Sequence, residues 1–349
     1  MELNPDFTWQ NSPIFVGSLA ETLGPWLKEQ SYSQILVLTD TNTYVHCLPS
    51  LKDLLPYPFH TIQIPAGEQH KNLETCAQIW QQLLHYKLDR KSLLINLGGG
   101  VIGDMGGFCA ATWKRGIHFI QVPTTLLAMT DAAIGGKTGI DFQGIKNTIG
   151  VFQTPAAVFA DPAFLNTLPN REFISGLAEV LKHGFIGDPE LLSNFANLQP
   201  AVLRSLPWPQ ILIQSIAVKV RVVTEDPKEN GLRMLLNYGH TIGHALESYF
   251  LETNTPLTHG EAIAIGMICE TPAPHHTQVT QLLAPFFPKV PIPKETYNSL
   301  WQLMQQDKKN SSGAVRLAIP DELPYTMKVL DITEPQLGNL LQKYAVTEF

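Results

Sequence analysis

The chain has few cysteines, no long apolar run and no basic tract, and each lack removes a class of protein. Its four cysteines, Cys47, Cys76, Cys109 and Cys269, stand too far apart to frame a small disulfide fold. None forms a CxxC pair for a thiolate metal site or a redox motif, so reduced, structural thiols are expected. No apolar stretch approaches the ~20 residues of a membrane span. The opening MELNPDFTWQ carries acids and lacks the apolar segment of a secretory signal. A formal net charge of −7 with no run of Lys or Arg argues against nucleic acid or an acidic membrane as main partner. A soluble cytoplasmic protein is expected.

What is present is core material: 44% of the 349 residues are apolar, enough for two ordinary domains. The two halves differ in texture. From about residue 13 to 168, the runs QILVLTD (34 to 40), FHTIQI (59 to 64), SLLINL (92 to 97) and HFIQVP (118 to 123) read as strands, with 73 to 86 an amphipathic helix between two of them. Such alternation predicts an α/β, Rossmann-like, doubly wound parallel sheet over residues 1 to 168. After Pro169 come long helical segments at 170 to 185, 211 to 226 and 258 to 270, with almost no strand pattern, so 169 to 349 should be a mostly α-helical domain. No internal repeat or low-complexity tract is visible.

Glycines follow the strand SLLINL directly. Gly98, Gly100 and Gly103 satisfy GxGxxG with a strand before and a helix after, where backbone amides and the helix's positive end can hold a pyrophosphate. Against an ordinary Rossmann domain, the glycines follow a later strand, and no acid stands near 20 residues on for the ribose. Asp40 with Asn42, and Glu68 with Lys71, end neighbouring strands and offer that contact instead. GGKTG at 135 to 139 is not a P-loop, because Asp131 stands where that pattern needs glycine. It reads as a flexible glycine turn presenting Lys137, with Lys146 and Asn147 close behind: two cations and an amide suited to an anionic substrate, or two solvated loop lysines.

In LLNYGHTIGHALES (235 to 248), winding at about 100° per residue puts Ile242, Ala245, Leu246, Tyr249 and Phe250 on one face and His240, His244 and Glu247 on the other. Any amphipathic helix shows polar residues outward, and a catalytic zinc-like ion needs three protein ligands, so the pair alone decides nothing. The motif is not HExxH, since Thr241 stands where a metalloprotease has glutamate. Glu179, on the polar face of the helix at 170 to 185, is a candidate third ligand or merely an i, i+3 partner of Lys182. His259 begins a strongly apolar helix, whose positive end favours the neutral imidazole that a metal needs.

Together, GGGVIGDMGGF, QVPTTLLAMTDAAIGGKTGID, GIKNTIGVF, FLNTLPNREFISGLAEVLKHG, LLNYGHTIGHALE and HGEAIAIGM resemble, in order, the signature segments of the 3-dehydroquinate synthase family, from about residue 13 to 267. The resemblance implies NAD in the first domain and one divalent metal, zinc or cobalt, in the second. It implies Glu179, His240 and His259 as metal ligands and His244 as a proton-handling group. Asp131, Lys137, Lys146, Asn147, Lys182, Lys219, Arg233 and Asn237 would line the substrate, and Lys308 would be a last phosphate contact. Arg115 would reach a neighbouring subunit's phosphate site, implying a homodimer. The dinucleotide would meet Asp40, Asn42, Glu68, Lys71, the turn containing Gly99, Gly100, Val101 and Asp104, then Thr124, Thr125, Lys137, Lys146, Phe164, Thr167 and Leu168. After Met267 the chain departs from the family's long helix, because CETPAPHHTQ breaks it with two prolines.

The activity so implied turns 3-deoxy-D-arabino-heptulosonate 7-phosphate into 3-dehydroquinate and phosphate, the second step towards chorismate. It does so by transient oxidation with NAD, phosphate elimination, re-reduction and aldol closure. Metal-dependent polyol dehydrogenases share the architecture but need no phosphate clamp and would accumulate NADH. Sister sugar-phosphate cyclases lack the substrate carboxylate; Arg233, Asn237 and His244 stand in the dehydroquinate-synthase form. A non-catalytic NAD-binding protein would be expected to have lost part of this set, and nothing is missing.

Overall fold

The computed structural model of the chain describes residues 4–55, 58–143, 145–227, 229, 231–251, 253–306, 314–321 and 327–349. They form two compact units, Met1–Pro169 with Trp208–Val220, and Asn170–Pro207 with Arg221–Phe349. The segment Trp208–Val220 thus belongs to the first unit although the sequence places it in the helical half.

The first unit is built on seven strands: β1 (Phe7–Trp9), β2 (Ser12–Val16), β3 (Ile35–Asp40), β4 (Phe59–Ile64), β5 (Leu93–Gly98), β6 (His118–Pro123) and, after a hairpin described below, β9 (Val158–Ala160). Their order is β1-β2-β9-β6-β5-β3-β4, parallel throughout except for the antiparallel β1–β2 pair at one edge. The central strands are nearly continuous apolar runs. All six residues of β5 and five of the six in β3 are buried, as a parallel sheet covered on both faces requires. Helices α1 (Leu23–Lys28), α2 (Thr41–His46), α3 (Leu48–Lys52), α4 (Leu73–His85) and α5 (Gly100–Thr112) connect the strands. α4 turns Cys76, Ile79 and Leu83 into a core shared with Leu36, Leu94 and Met105.

The hairpin of β7 (Lys137–Phe142) and β8 (Ile145–Phe152) forms a separate two-stranded sheet where the sequence suggested a flexible glycine turn. Gly139 and Gly150 face each other across it, and a Cβ on either would strike the other strand's backbone. These glycines permit close strand approach rather than a bend.

The second unit is mostly helical: α6 (Asn170–Gly187), α7 (Pro189–Ser193), α8 (Trp208–Glu225, shared with the first unit), α9 (His240–Leu251), α10 (His259–Glu270), α11 (Ala273–Leu283), α12 (Tyr297–Gln306) and α13 (Glu334–Val346). It also holds the antiparallel hairpin of β10 (Val315–Pro320) and β11 (Met327–Ile332), which the sequence reading did not anticipate. The signal was present: Val315, Leu317 and Ile319 alternate and are buried. The two prolines act as expected. α10 stops at Glu270, and α11 restarts with Pro272 as its N-cap and Pro274 in its first turn, where the missing N–H costs nothing. No described helix is long and apolar enough to cross a membrane.

Candidate active site

In the first unit the sheet itself marks a binding edge. β4 lies on one side of β3 and β5 on the other, so the winding direction reverses between β3 and β5. Ligands of open α/β sheets bind at such a crevice, outside the strands' carboxyl ends. The dinucleotide candidates come from those ends: Asp40 and Asn42 after β3, Glu68 and Lys71 after β4, the glycine turn after β5, Thr124 and Thr125 after β6, and Phe164, Thr167 and Leu168 after β9.

α5 begins at Gly100 with Gly99 as its N-cap and no side-chain hydrogen bond capping it, which leaves the first-turn amides without intrahelical partners. Gly98, Gly99, Gly100 and Gly103, with Gln121, Pro123 and Ala128, line a small cleft there. The turn is tight: a Cβ on Gly99 would lie 3.1 Å from Thr125 Cγ2, which would have to give by a few tenths of an ångström. Asp40 Oδ1 accepts the Asn42 and Thr43 amides at 2.8 Å each, capping α2.

Lys71 is buried at the centre of a polar cluster. Its Nζ donates to Asp104 Oδ2 at 2.7 Å and to Asn147 Oδ1 at 2.6 Å, with Glu68 at 3.8 Å. Burial raises the Asp104 carboxyl pKa, opposed by Lys71. Burial lowers the Lys71 pKa, but Asp104 and Glu68 reverse this and leave it above its ordinary value. Asn147 is held at φ +52° by its amide donating to Asp141 Oδ1 at 2.7 Å. Lys219 of α8 is paired with Asp131.

Lys137 and the Lys146–Asn147 pair stand near opposite ends of the hairpin. Lys137 pairs with Phe152 at the open end of the hairpin, whereas Lys146 sits next to the Phe142–Ile145 pair at its turn. That is about five residue steps, roughly 15 Å along the strands. Arg115 is exposed, at φ +68° on the turn after α5. Lys308 lies outside the described residues.

In the second unit three helices bring Glu179 (α6), His240 (first residue of α9) and His259 (first residue of α10) together. The two Nε2 atoms lie 3.5 and 3.6 Å from Glu179 Oε1. Donors bound tetrahedrally at the 2.0–2.2 Å usual for zinc are about 3.3 Å apart, so this set fits such an ion. The imidazoles are oriented for it. His240 Nδ1 lies 3.2 Å from the Tyr238 carbonyl and His259 Nδ1 lies 3.4 Å from Glu247 Oε2; donation from each Nδ1 leaves both Nε2 lone pairs facing Glu179. Glu179 is fully buried, and neither of its oxygens has a well-directed hydrogen-bond donor; its contacts are with the Lys182 ammonium and the two imidazoles. A buried carboxylate so placed is what a cation would satisfy.

Burial would raise the Glu179 pKa, but Lys182 and His240 hold it well below the usual carboxylate range. Burial, and then Lys182, push His240 well below its ordinary value. For His259 burial also lowers, but the carboxylates of Glu179 and Glu247 beside it win and push it up to about 9. The helix end was expected to keep this imidazole neutral; in the metal-free protein two carboxylates outweigh it.

His244, one turn along α9, is exposed with its ring centroid 5.0 Å from that of His240 and 5.8 Å from that of His259. The buried Lys182 also donates to the Leu236 carbonyl at 2.7 Å. Arg233 is buried and donates to the Pro227 carbonyl at 2.9 Å, and Asn237 donates to Glu229 Oε1 at 2.7 Å. Glu247 and Glu229 were given no role from the sequence. Glu247 shares a helix face with the histidines, which was its signal; Glu229 carried none.

The comparisons bear on both units. Residues 61–175 match the family model for the 3-dehydroquinate synthase N-terminal domain and 176–310 that for its C-terminal domain. The 3-dehydroquinate synthase of Parabacteroides distasonis is 40% identical over 321 residues, 88% of this chain and 90% of that protein. Two solved structures, each 23% identical, share the fold. One is a 2-epi-5-epi-valiolone synthase from Streptomyces hygroscopicus subsp. jinggangensis with NAD+ and Zn2+ bound (TM-score 0.83, 99% of each chain). The other is a 2-deoxy-scyllo-inosose synthase complexed with carbaglucose-6-phosphate, NAD+ and Co2+ (TM-score 0.80, 95% of this chain and 96% of that one).

Proposed function

The chain belongs to the 3-dehydroquinate synthase family, and we propose that it converts 3-deoxy-D-arabino-heptulosonate 7-phosphate into 3-dehydroquinate and phosphate, as a carbon–oxygen lyase. The observation that carries this reading is the convergence of Glu179, His240 and His259, in a chain that also has the glycine turn and the lysine set. Glu179, His240 and His259 would hold a divalent ion, and Asp40, Asn42, Glu68, Lys71, residues 99–104, Thr124, Thr125, Lys146, Phe164, Thr167 and Leu168 would hold NAD. Once bound, NAD supplies a hydride acceptor regenerated within each cycle, and the ion supplies Lewis acidity to the substrate's hydroxyl groups.

The chain's own groups do the rest. His244, exposed beside the ligand pair, moves the alcohol proton. Lys137, Lys182, Lys219, Arg233, Asn147 and Asn237 bind the substrate's carboxylate and phosphate, fixing the reacting conformer between two anion clamps. Asp131 holds the Lys219 ammonium in place before substrate arrives. Arg115 reaches the phosphate site of a neighbouring subunit in a homodimer, and Lys308 is a last phosphate contact. The place of action is the cytoplasm.

The test is to incubate purified protein with Co2+ or Zn2+, substoichiometric NAD and the heptulosonate phosphate, following inorganic phosphate and NADH together. Phosphate released over many turnovers with no NADH build-up is expected. Stoichiometric NADH without phosphate would make the protein a dehydrogenase instead.

A further inference from the structure

α9 carries His240 and His244 but has no cap of its own: the residue before it is Gly239, which has no side chain, in a left-handed conformation at φ +79°. The amides at its start would be orphaned in the interior. Glu270, the last residue of α10 and only 4% exposed, takes them from across the helix pair. Its Oε2 accepts the Gly239 amide at 2.7 Å and its Oε1 accepts the Ile242 amide at 3.1 Å. These two amides flank His240. The same carboxyl terminates the helix that begins with His259, so one side chain ties together the two elements that carry the histidine ligands.

We propose that Glu270 is a positioning residue for the metal centre: by capping α9 it sets where His240 Nε2 stands relative to Glu179 and His259. The inference rests on the metal reading of those three residues. The helix pair leaves little room for another arrangement. A Cβ on Gly266 would collide with the Gly239 carbonyl, and one on Gly243 would lie 3.0 Å from the Ala262 carbonyl oxygen. In either protonation state, both carboxyl oxygens keep lone pairs for the two amides. A carboxamide would turn one of them into a donor facing a donor.

The experiment is Co2+ titration of the chelator-treated full chain, read by visible absorption of the bound ion and by far-UV circular dichroism. Glu270→Gln should stay helical yet bind Co2+ on the order of tenfold or more weakly, with an altered band, as for lost outer-sphere support. Ile268→Val, a packing change on the same helix that touches neither amide, should lower stability and leave Co2+ affinity within about twofold. A folded Glu270→Gln that binds Co2+ like the parent overturns the proposal. Should that variant fail to fold, Glu270→Asp, which draws both oxygens back by one methylene, is read in the same titration with the same two outcomes. A parent that binds no Co2+ sinks the metal reading and this inference with it; a parent that binds and variants that bind equally sink only the inference.

Discussion

The charge cluster around Glu179 gives a sharp test of how the second unit is held together. Glu179 and Lys182 are respectively 0% and 1% exposed on their side chains, in contact with each other, and Lys182 has one further acceptor in the Leu236 carbonyl. Glu179→Gln keeps the shape but takes from the buried ammonium the carboxylate it touches. Breaking a buried pair in this way costs about 3–5 kcal/mol, a large part of the roughly 5–15 kcal/mol that holds a typical domain folded. Lys182→Met should cost less, because Glu179 still faces His259, whose pKa is pushed up to about 9 and which is therefore cationic at neutral pH. The double variant, with both charges gone, should be destabilised by at least about 2 kcal/mol less than the sum of the singles. Urea unfolding of chelator-treated protein, followed by circular dichroism and tryptophan fluorescence, measures all three. A Glu179→Gln variant within about 1 kcal/mol of the parent, or singles that simply add, would show that these groups are better solvated than their burial implies, and the reasoning would fail.

Three further outcomes are expected. His259 is pushed up to about 9 in the metal-free protein, above its ordinary value of 6.5, so the stability it contributes there is complete below pH 6.5 and lost as pH rises to about 9. A metal must displace that proton, so Co2+ affinity should climb with pH across the same window, towards tenfold per unit, whereas pH-independent affinity would place the proton elsewhere. Lys137→Met should depress turnover of the heptulosonate phosphate while leaving the circular dichroism spectrum unchanged; turnover within about twofold of the parent would remove Lys137 from the anion clamp.

Much of the fold was legible because the governing patterns are local. The strands at 35–40, 59–64, 93–98 and 118–123 and the helices from 170, 208 and 259 follow from runs and periods that a window of about a dozen residues contains. β7 and β8 escaped because Gly139, Gly150 and the alternating polar residues of IKNTIGVF imitate a loop. Their pairing is decided by what the opposite strand allows, not by propensity. The same hairpin sets Lys137 and Lys146 near opposite ends of the paired strands, a separation that nine residues of sequence do not reveal.

The proposed metal ligands and their supports were not equally legible, for a physical reason. His240, His244 and Glu247 share one helix face, so geometry alone could raise them as a set; Glu179 and His259 were raised as candidates from their own helices, and the resemblance grouped them with His240 as ligands. What holds those ligands is chosen by packing. Glu247 turns His259 from a different helix, the Tyr238 carbonyl turns His240, and Glu270 reaches the start of α9 from 28 residues beyond Ile242. A carboxylate at the end of an apolar helix reads in sequence as an exposed terminus. It becomes a cap only because Gly239, Gly243 and Gly266 let two helices approach until their backbones nearly touch. Small residues therefore set the distance and one buried acid sets the register, and the histidines fall into place as a consequence of both.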